Sequence, residues 1–115
     1  MTQYAYACSR YHAATPPERE LNCKFNKAIA KYALKLGYFA YCPLQDAKWW
    51  ETETLEKRTE ELEKCFEVIR GMGDRVTFFV PKWQERSAGM VAELRLNIEA
   101  PIVYVTYDQI KEYME

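Results

Sequence analysis

The stretch VTFFVPKWQERSAGMVAE, residues 76–93, decides the fold of this chain. It opens with five β-branched or aromatic residues at 76–80, a composition typical of a buried strand. A loop over 81–86 follows, and Ser87 then provides a natural cap for a helix that we predict to run to about Glu99. A buried strand, a loop and a helix in succession form the repeating unit of a parallel sheet.

The same unit recurs in both directions along the chain. Short apolar runs predict three more strands, at 4–8, 38–42 and 102–105. Apolar residues at three- and four-residue steps predict the other helices, which run from Thr15–Glu18 to Gly37, over Leu55–Arg70 and, briefly, after Thr106 or Asp108. The residues predicted to face inward on the helix after Ser87 are Met90, Val91, Leu94 and Ile98.

Strict alternation of continuously apolar strands with helices predicts an α/β fold. We expect a three-layer α/β/α sandwich around a parallel sheet of four strands, or five, in the flavodoxin-like or Rossmann-like order 2-1-3-4. In such sheets ligands bind at the carboxyl ends of the strands, near the point where the strand order reverses. The expected site therefore involves the loops 9–15, 43–54 and 81–86 and the residues after Val105.

Composition and charge argue against several classes of protein. The 115 residues suit one domain spanning 1–115, and the net charge of −1 argues against a general grip on a nucleic-acid polymer. No apolar run reaches the roughly 20 residues of a membrane span. The first twelve residues lack the pattern of a signal peptide, so we expect a cytoplasmic protein with reduced, mostly buried cysteines at 8, 23, 42 and 65.

The start of the helix after the third strand is the strongest candidate site. The amides of Ala88, Gly89 and Met90 follow the Ser87 cap and would face an anion, and Gly89 permits a close approach to the backbone. Glu93 lies one turn further on the same face as Gly89, where a carboxylate could attack or stabilise a sugar carbon. The alternative is that Glu93 is an ordinary exposed helix residue paired with a nearby cation.

The loop after the first strand reaches the same edge of the sheet. Ser9 and the forked guanidinium of Arg10 could hold a phosphate, and Tyr11 could stack on a base or donate to a carboxylate. The alternative is a plain polar loop. His12 is the single histidine and a candidate acid or base, and the cysteine spacing suggests no metal site.

A pair of tryptophans marks the long loop after the second strand. Trp49 and Trp50, with Asp46 nearby, could cover a nucleobase as a lid. The alternative is that the two indoles pack beneath the loop or in a contact between subunits.

These residues resemble the nucleoside 2-deoxyribosyltransferase-like superfamily, which includes deoxynucleoside 5′-monophosphate N-glycosidases. The resemblance covers most of the chain. It rests on Ser9-Arg10-Tyr11 after the first strand, Leu36-Gly37-Tyr38 before the second, and Ser87-x-Gly89-x-x-x-Glu93 after the third.

The resemblance implies a role for each of these motifs. Glu93 would be the nucleophile that attacks C1′ of the sugar and expels the base, and Tyr11 would orient Glu93 or the sugar. The residue at the position of Ser87 binds the 5′ end of the sugar. A neutral serine there, together with Arg10, favours a nucleotide over a nucleoside, since an aspartate would repel a phosphate. No cofactor is implied, and a homodimer or larger homo-oligomer is expected.

The family usually carries an aspartate on the helix before the third strand, and Leu55–Arg70 has none. Glu60, Glu63 and Glu67 are the candidates to replace it. The sequence thus supports two functional hypotheses, a glycosidase or transferase acting through Glu93 and a module that binds a nucleotide without cleaving it. A third reading is an oligomeric protein with a vestigial pocket.

Overall fold

A computed structural model describes residues 3–11, 13–44 and 55–114 of the chain. Strands and helices alternate throughout. Their bounds are β1 Tyr4–Ala7, α1 Pro16–Lys35, β2 Phe39–Tyr41, α2 Leu55–Met72, β3 Val76–Pro81, α3 Ala88–Arg95, β4 Ile102–Val105 and α4 Tyr107–Ile110. Single turns of 3-10 helix follow α2 and α4, at Gly73–Arg75 and Lys111–Tyr113.

The four strands form one parallel sheet in the order β2-β1-β3-β4. In the register of its two central strands, Tyr6 lies beside Phe78 and Ala7 beside Phe79. The predicted α/β class, the parallel pairing and the strand order 2-1-3-4 are confirmed. The order reverses between β1 and β3, so a crevice is expected where these two strands end.

Successive strand residues point to opposite faces of the sheet, and each face has its own core. On one face Ala5, Ala7 and Phe79 pack with the inward residues of α1 and with Ile110 of α4. On the other face Tyr6 and Phe78 pack with α2 and α3. Helices therefore cover both faces, which explains why β3 is buried along its whole length.

Local chemistry sets the ends of α1 as predicted. The Thr15 hydroxyl accepts from the amide of Glu18, and a proline occupies the first helical position. At the other end Gly37 takes a positive φ of 99°, a conformation that other residues adopt only at a cost. This turn leads the chain directly into β2.

The helix that begins after Ser87 is shorter than predicted. It ends at Arg95 rather than near Glu99, and the chain then makes a turn that the amide of Ala100 closes on the carbonyl of Asn97. The prediction that Ile98 faces inward is wrong, because this turn leaves its side chain 83% exposed. Met90 and Leu94 do face the core.

Within the described ranges, no helix combines the length and apolar character that crossing a bilayer requires.

Candidate functional site

A cavity of about 500 Å³ lies at the carboxyl ends of β1 and β3, beside the reversal of strand order. Four segments form its described walls. They are residues 9–11 after β1, 43–44 after β2, the α2 residues Thr59, Glu61, Leu62 and Cys65, and the α3 residues 87–90 and 93. The structure thus brings together the predicted site residues Ser9, Arg10 and Tyr11 of the first loop with those at 87–90 and 93.

Glu93 forms the buried end of this cavity. Its side chain is only 7% exposed, and its carboxylate accepts a hydrogen bond from the Tyr6 hydroxyl. The Cys8 thiol lies 3.8 Å from the other carboxylate oxygen and is oriented to donate to it. Burial raises the pKa of Glu93 to about 7, while the hydrogen bonds from Tyr6 and Cys8 oppose that rise. The alternative of an exposed, ion-paired Glu93 is therefore wrong.

Tyr6 is the residue that holds Glu93, and the sequence did not single it out. Its ring is fully buried between Tyr41 and Phe78, with ring centroids 5.8 and 6.0 Å away. Burial and the charge of Glu93 raise the pKa of its phenol, so the hydroxyl stays protonated and available as a donor. Tyr11, which was predicted to orient Glu93 or the sugar, lines the same cavity.

The amino end of α3 supplies further polar groups to the cavity. Ser87 caps the helix, with its hydroxyl accepting from the amide of Met90 at 3.3 Å. The Met90 amide is consequently not free for an anion, contrary to our expectation. The first bond of the helical ladder runs from Val91 to the Ser87 carbonyl, which leaves the amides of Ala88 and Gly89 before it.

Gly89 leaves open space at the cavity wall. A Cβ added there would meet the Ser87 hydroxyl only at 3.9 Å, an ordinary contact. Packing within the protein therefore does not require glycine at this position. The absence of a side chain instead keeps the amino end of α3 accessible to a ligand.

The loop after β1 brings Ser9 and Arg10, two of the predicted phosphate-binding residues, to the cavity. Ser9 is 8% exposed and lines the cavity. The backbone amide of Arg10 donates to the side-chain oxygen of Gln84 at 3.0 Å, which ties this loop to the loop after β3. Because that amide is occupied, Arg10 can contribute to a ligand only through its guanidinium.

The α2 wall differs from the expectation. Glu60, Glu63 and Glu67 are exposed, and the glutamate of α2 that lines the cavity is Glu61. One turn along the same face lies Cys65, a buried thiol close to the Tyr6 hydroxyl. Burial raises the pKa of the Cys65 thiol to about 12. Cys65 is therefore a protonated thiol close to the Glu93 carboxyl.

The predicted base contacts Asp46, Trp49 and Trp50 lie outside the described residues, as does His12. In the part of the chain that the structure describes, no group of three or more His, Cys, Asp or Glu side chains is arranged to hold a metal ion.

Comparisons with models of protein families, with curated proteins and with solved structures give no match for this chain.

Proposed function

We propose that the protein cleaves the N-glycosidic bond of a nucleoside or deoxynucleoside 5′-monophosphate, with Glu93 as the nucleophile. The observation that carries the proposal is the buried Glu93 carboxylate at the end of a cavity, held by Tyr6 and facing the start of α3. The resemblance to the nucleoside 2-deoxyribosyltransferase-like superfamily supports the same assignment. The cavity volume of about 500 Å³ suits a ligand of nucleotide size.

In the proposed reaction one Glu93 oxygen attacks C1′ of the sugar. The bond from C1′ to the base nitrogen breaks, and the base leaves with the bonding electron pair and takes up a proton. The resulting glycosyl ester is then resolved by water, or by a second base in a transfer reaction. Tyr6 and Cys8 donate to the carboxylate and hold its two oxygens in place.

The phosphate would lie between the first loop and α3. Ser9, Arg10, Ser87, Ala88 and Gly89 line this side of the cavity, and their hydroxyls, guanidinium and backbone amides are the groups we assign to the phosphate. Arginine and helix amino ends both favour anions, and a neutral serine at position 87 does not repel a phosphate. This arrangement favours a nucleotide over a nucleoside as the substrate.

The base would lie toward α2 and the loop that carries Trp49 and Trp50. Glu61 is the acid of the described α2 wall, and we assign to it the role that an aspartate plays in the resembling enzymes. Its carboxyl would place the base or supply a proton to it. We further propose that the protein is cytoplasmic and forms a homodimer or larger homo-oligomer, as the resemblance implies.

The second candidate function is a module that binds a nucleotide without cleaving it. The α2 wall favours this reading, since it carries no aspartate and presents the buried thiol of Cys65 close to Tyr6 and Glu93. Such a module would use the same Ser9, Arg10 and Ser87 contacts. Its affinity would depend little on the charge of Glu93.

Base release from a panel of nucleoside 5′-monophosphates separates these two functions. We would incubate the protein with ribo- and deoxyribonucleotides, follow the free base by chromatography, and run Glu93→Gln in parallel. Base released by the wild type and not by Glu93→Gln is the expected result. Tight binding of a monophosphate by both proteins, with no base released, would replace the glycosidase with the binding module.

A further inference from the structure

Asn26 is a fully buried polar side chain of α1 that lies behind the cavity wall. Its amide nitrogen donates to the Ala7 carbonyl at 2.9 Å and to the Ser9 hydroxyl oxygen at 2.8 Å. Its amide oxygen accepts from the Cys42 thiol at 3.0 Å and from the Leu44 amide at 3.4 Å. Both hydrogens and both lone pairs of the amide are therefore used.

These contacts fix the orientation of the Asn26 amide. Rotating it by half a turn would place its oxygen against the Ala7 carbonyl and its NH2 group against the Leu44 amide hydrogen. Two hydrogen bonds would become contacts between like groups in a buried position, where unpaired polar atoms are costly. The NH2 group consequently faces Ser9, and towards Ser9 it can act only as a donor.

The Ser9 hydroxyl has one hydrogen, and the Asn26 contact determines where that hydrogen cannot point. Since the oxygen of Ser9 accepts from Asn26, its own hydrogen must be donated elsewhere. Within residues 3–11, 13–44 and 55–114 no hydrogen bond donated by the Ser9 hydroxyl is found, and Ser9 is one of the residues that line the cavity. The open direction for this hydrogen is the ligand.

We infer that Asn26 is a positioning residue that makes the Ser9 hydroxyl a dedicated donor to the anionic end of the ligand. The inference rests on the proposed function, which places a 5′-phosphate at Ser9. It goes further by assigning the phosphate preference partly to a residue that lies outside the cavity wall. Asn26 also links the ends of β1 and β2, so the donor is held by two strands.

The test measures affinity in the Glu93→Gln background, where substrate is not consumed. Four proteins are titrated by calorimetry with deoxynucleoside 5′-monophosphates and with the matching nucleosides: the parent, Ser9→Ala, Asn26→Asp and the double variant. In Asn26→Asp an oxygen replaces the NH2 group that donates to Ala7 and Ser9, and when the carboxyl is ionised this oxygen accepts the Ser9 hydrogen and so reverses the hydrogen bond. Thermal melting of each protein establishes that it is folded.

We expect Ser9→Ala to weaken monophosphate binding about tenfold or more while nucleoside affinity changes less than about twofold. Asn26→Asp should weaken monophosphate binding at least as much as Ser9→Ala does. In the Ser9→Ala background, Asn26→Asp should weaken monophosphate binding by less than about a further threefold, since its effect depends on the Ser9 hydroxyl. If Asn26→Asp melts too early to be titrated, Asn26→Ser, which is uncharged and too short to reach Ser9, takes its place in the same cycle.

Two results would overturn the inference while leaving the glycosidase intact. One is base release by the wild type together with unchanged monophosphate affinity in Ser9→Ala. The other is an equal loss from Asn26→Asp with and without Ser9, which would indicate plain charge repulsion. A parent protein that binds no monophosphate, with no base released by the wild type, would instead remove the proposed function and the inference with it.

Discussion

Burial and hydrogen bonding shift the pKa of the Glu93 carboxyl in opposite directions. Burial favours the neutral acid, whereas donation from Tyr6 and Cys8 favours the anion, and the balance raises the pKa to about 7. Because this pKa lies near neutral pH, a substantial fraction of the carboxyl is ionised there. The ionised form is the one that a nucleophile requires. This balance leads to two measurable consequences at the residue scale.

The first consequence concerns stability against pH. Because the pKa of Glu93 is raised from 4.5 to about 7 in the fold, its contribution to stability is complete below pH 4.5 and is lost as pH rises through 7. Glu93→Gln has no such charge. We expect its free energy of unfolding to exceed that of the wild type by about 3 kcal/mol at pH 9, with the difference shrinking towards pH 5.

Urea denaturation at several pH values measures this difference. Glu85→Gln, at an exposed position of the loop after β3, is the control for removing a charge, and it should show no comparable gain. A difference between wild type and Glu93→Gln that does not change between pH 5 and pH 9 would contradict the burial of an ionisable carboxyl.

The second consequence concerns rate. In the proposed glycosidase, kcat/KM should rise with pH through about 7 and then level off, as Glu93 ionises. The Tyr6 hydrogen bond lowers the pKa of Glu93, so Tyr6→Phe should move this midpoint to higher pH and reduce the plateau by roughly ten- to hundredfold, the effect of losing a hydrogen bond to a charged group. Tyr4→Phe, outside the cavity, is the matched control. An unmoved midpoint in Tyr6→Phe would exclude Tyr6 as the group that holds Glu93.

At the scale of elements, the turn after α1 depends on one backbone conformation. Gly37 has a φ of 99°, and a Cβ there would meet no atom within 4 Å, so the cost of Gly37→Ala is conformational alone. We expect it to destabilise the protein by about 1–2 kcal/mol in chemical denaturation. Gly71, in α2 with equally open space and no positive φ, is the matched control. Gly71→Ala should stabilise by about 0.5–1 kcal/mol, and equal effects at both positions would refute the argument.

Most elements follow from local sequence, and the site follows only in part. Strand alternation predicts the sheet and its order because right-handed crossovers leave few other arrangements. The sequence pattern does not predict the role of Tyr6, because an aromatic residue in a buried strand is typical of the core and its partner Glu93 lies 87 residues away. The sequence does contain an indication of Asn26, because this polar residue lies on the same face of α1 as the apolar residues Ile29 and Ala33. Glu61 likewise lies one turn before the inward Cys65.

At the scale of the whole molecule, the cavity joins segments that are far apart in sequence. The loops after β1 and β3 are connected by the contact between Arg10 and Gln84, and Asn26 connects α1 with the ends of β1 and β2. A ligand that contacts the first loop and α3 would therefore hold both halves of the sheet together. Its binding energy would stabilise the whole fold rather than one loop.

This coupling predicts a large thermal shift on ligand binding. For the Glu93→Gln protein in a 5′-monophosphate at 100 times its dissociation constant, linkage supplies about 2.7 kcal/mol, which raises the melting temperature by roughly 10 °C for a chain of this size. The matching nucleoside, at the same concentration, lacks the phosphate contacts and should shift it far less. Differential scanning fluorimetry with both ligands makes the comparison. Equal shifts would show that the Ser9, Arg10 and Ser87 side of the cavity does not recognise the phosphate. A protein whose melting temperature neither ligand raises at any concentration would support a vestigial pocket.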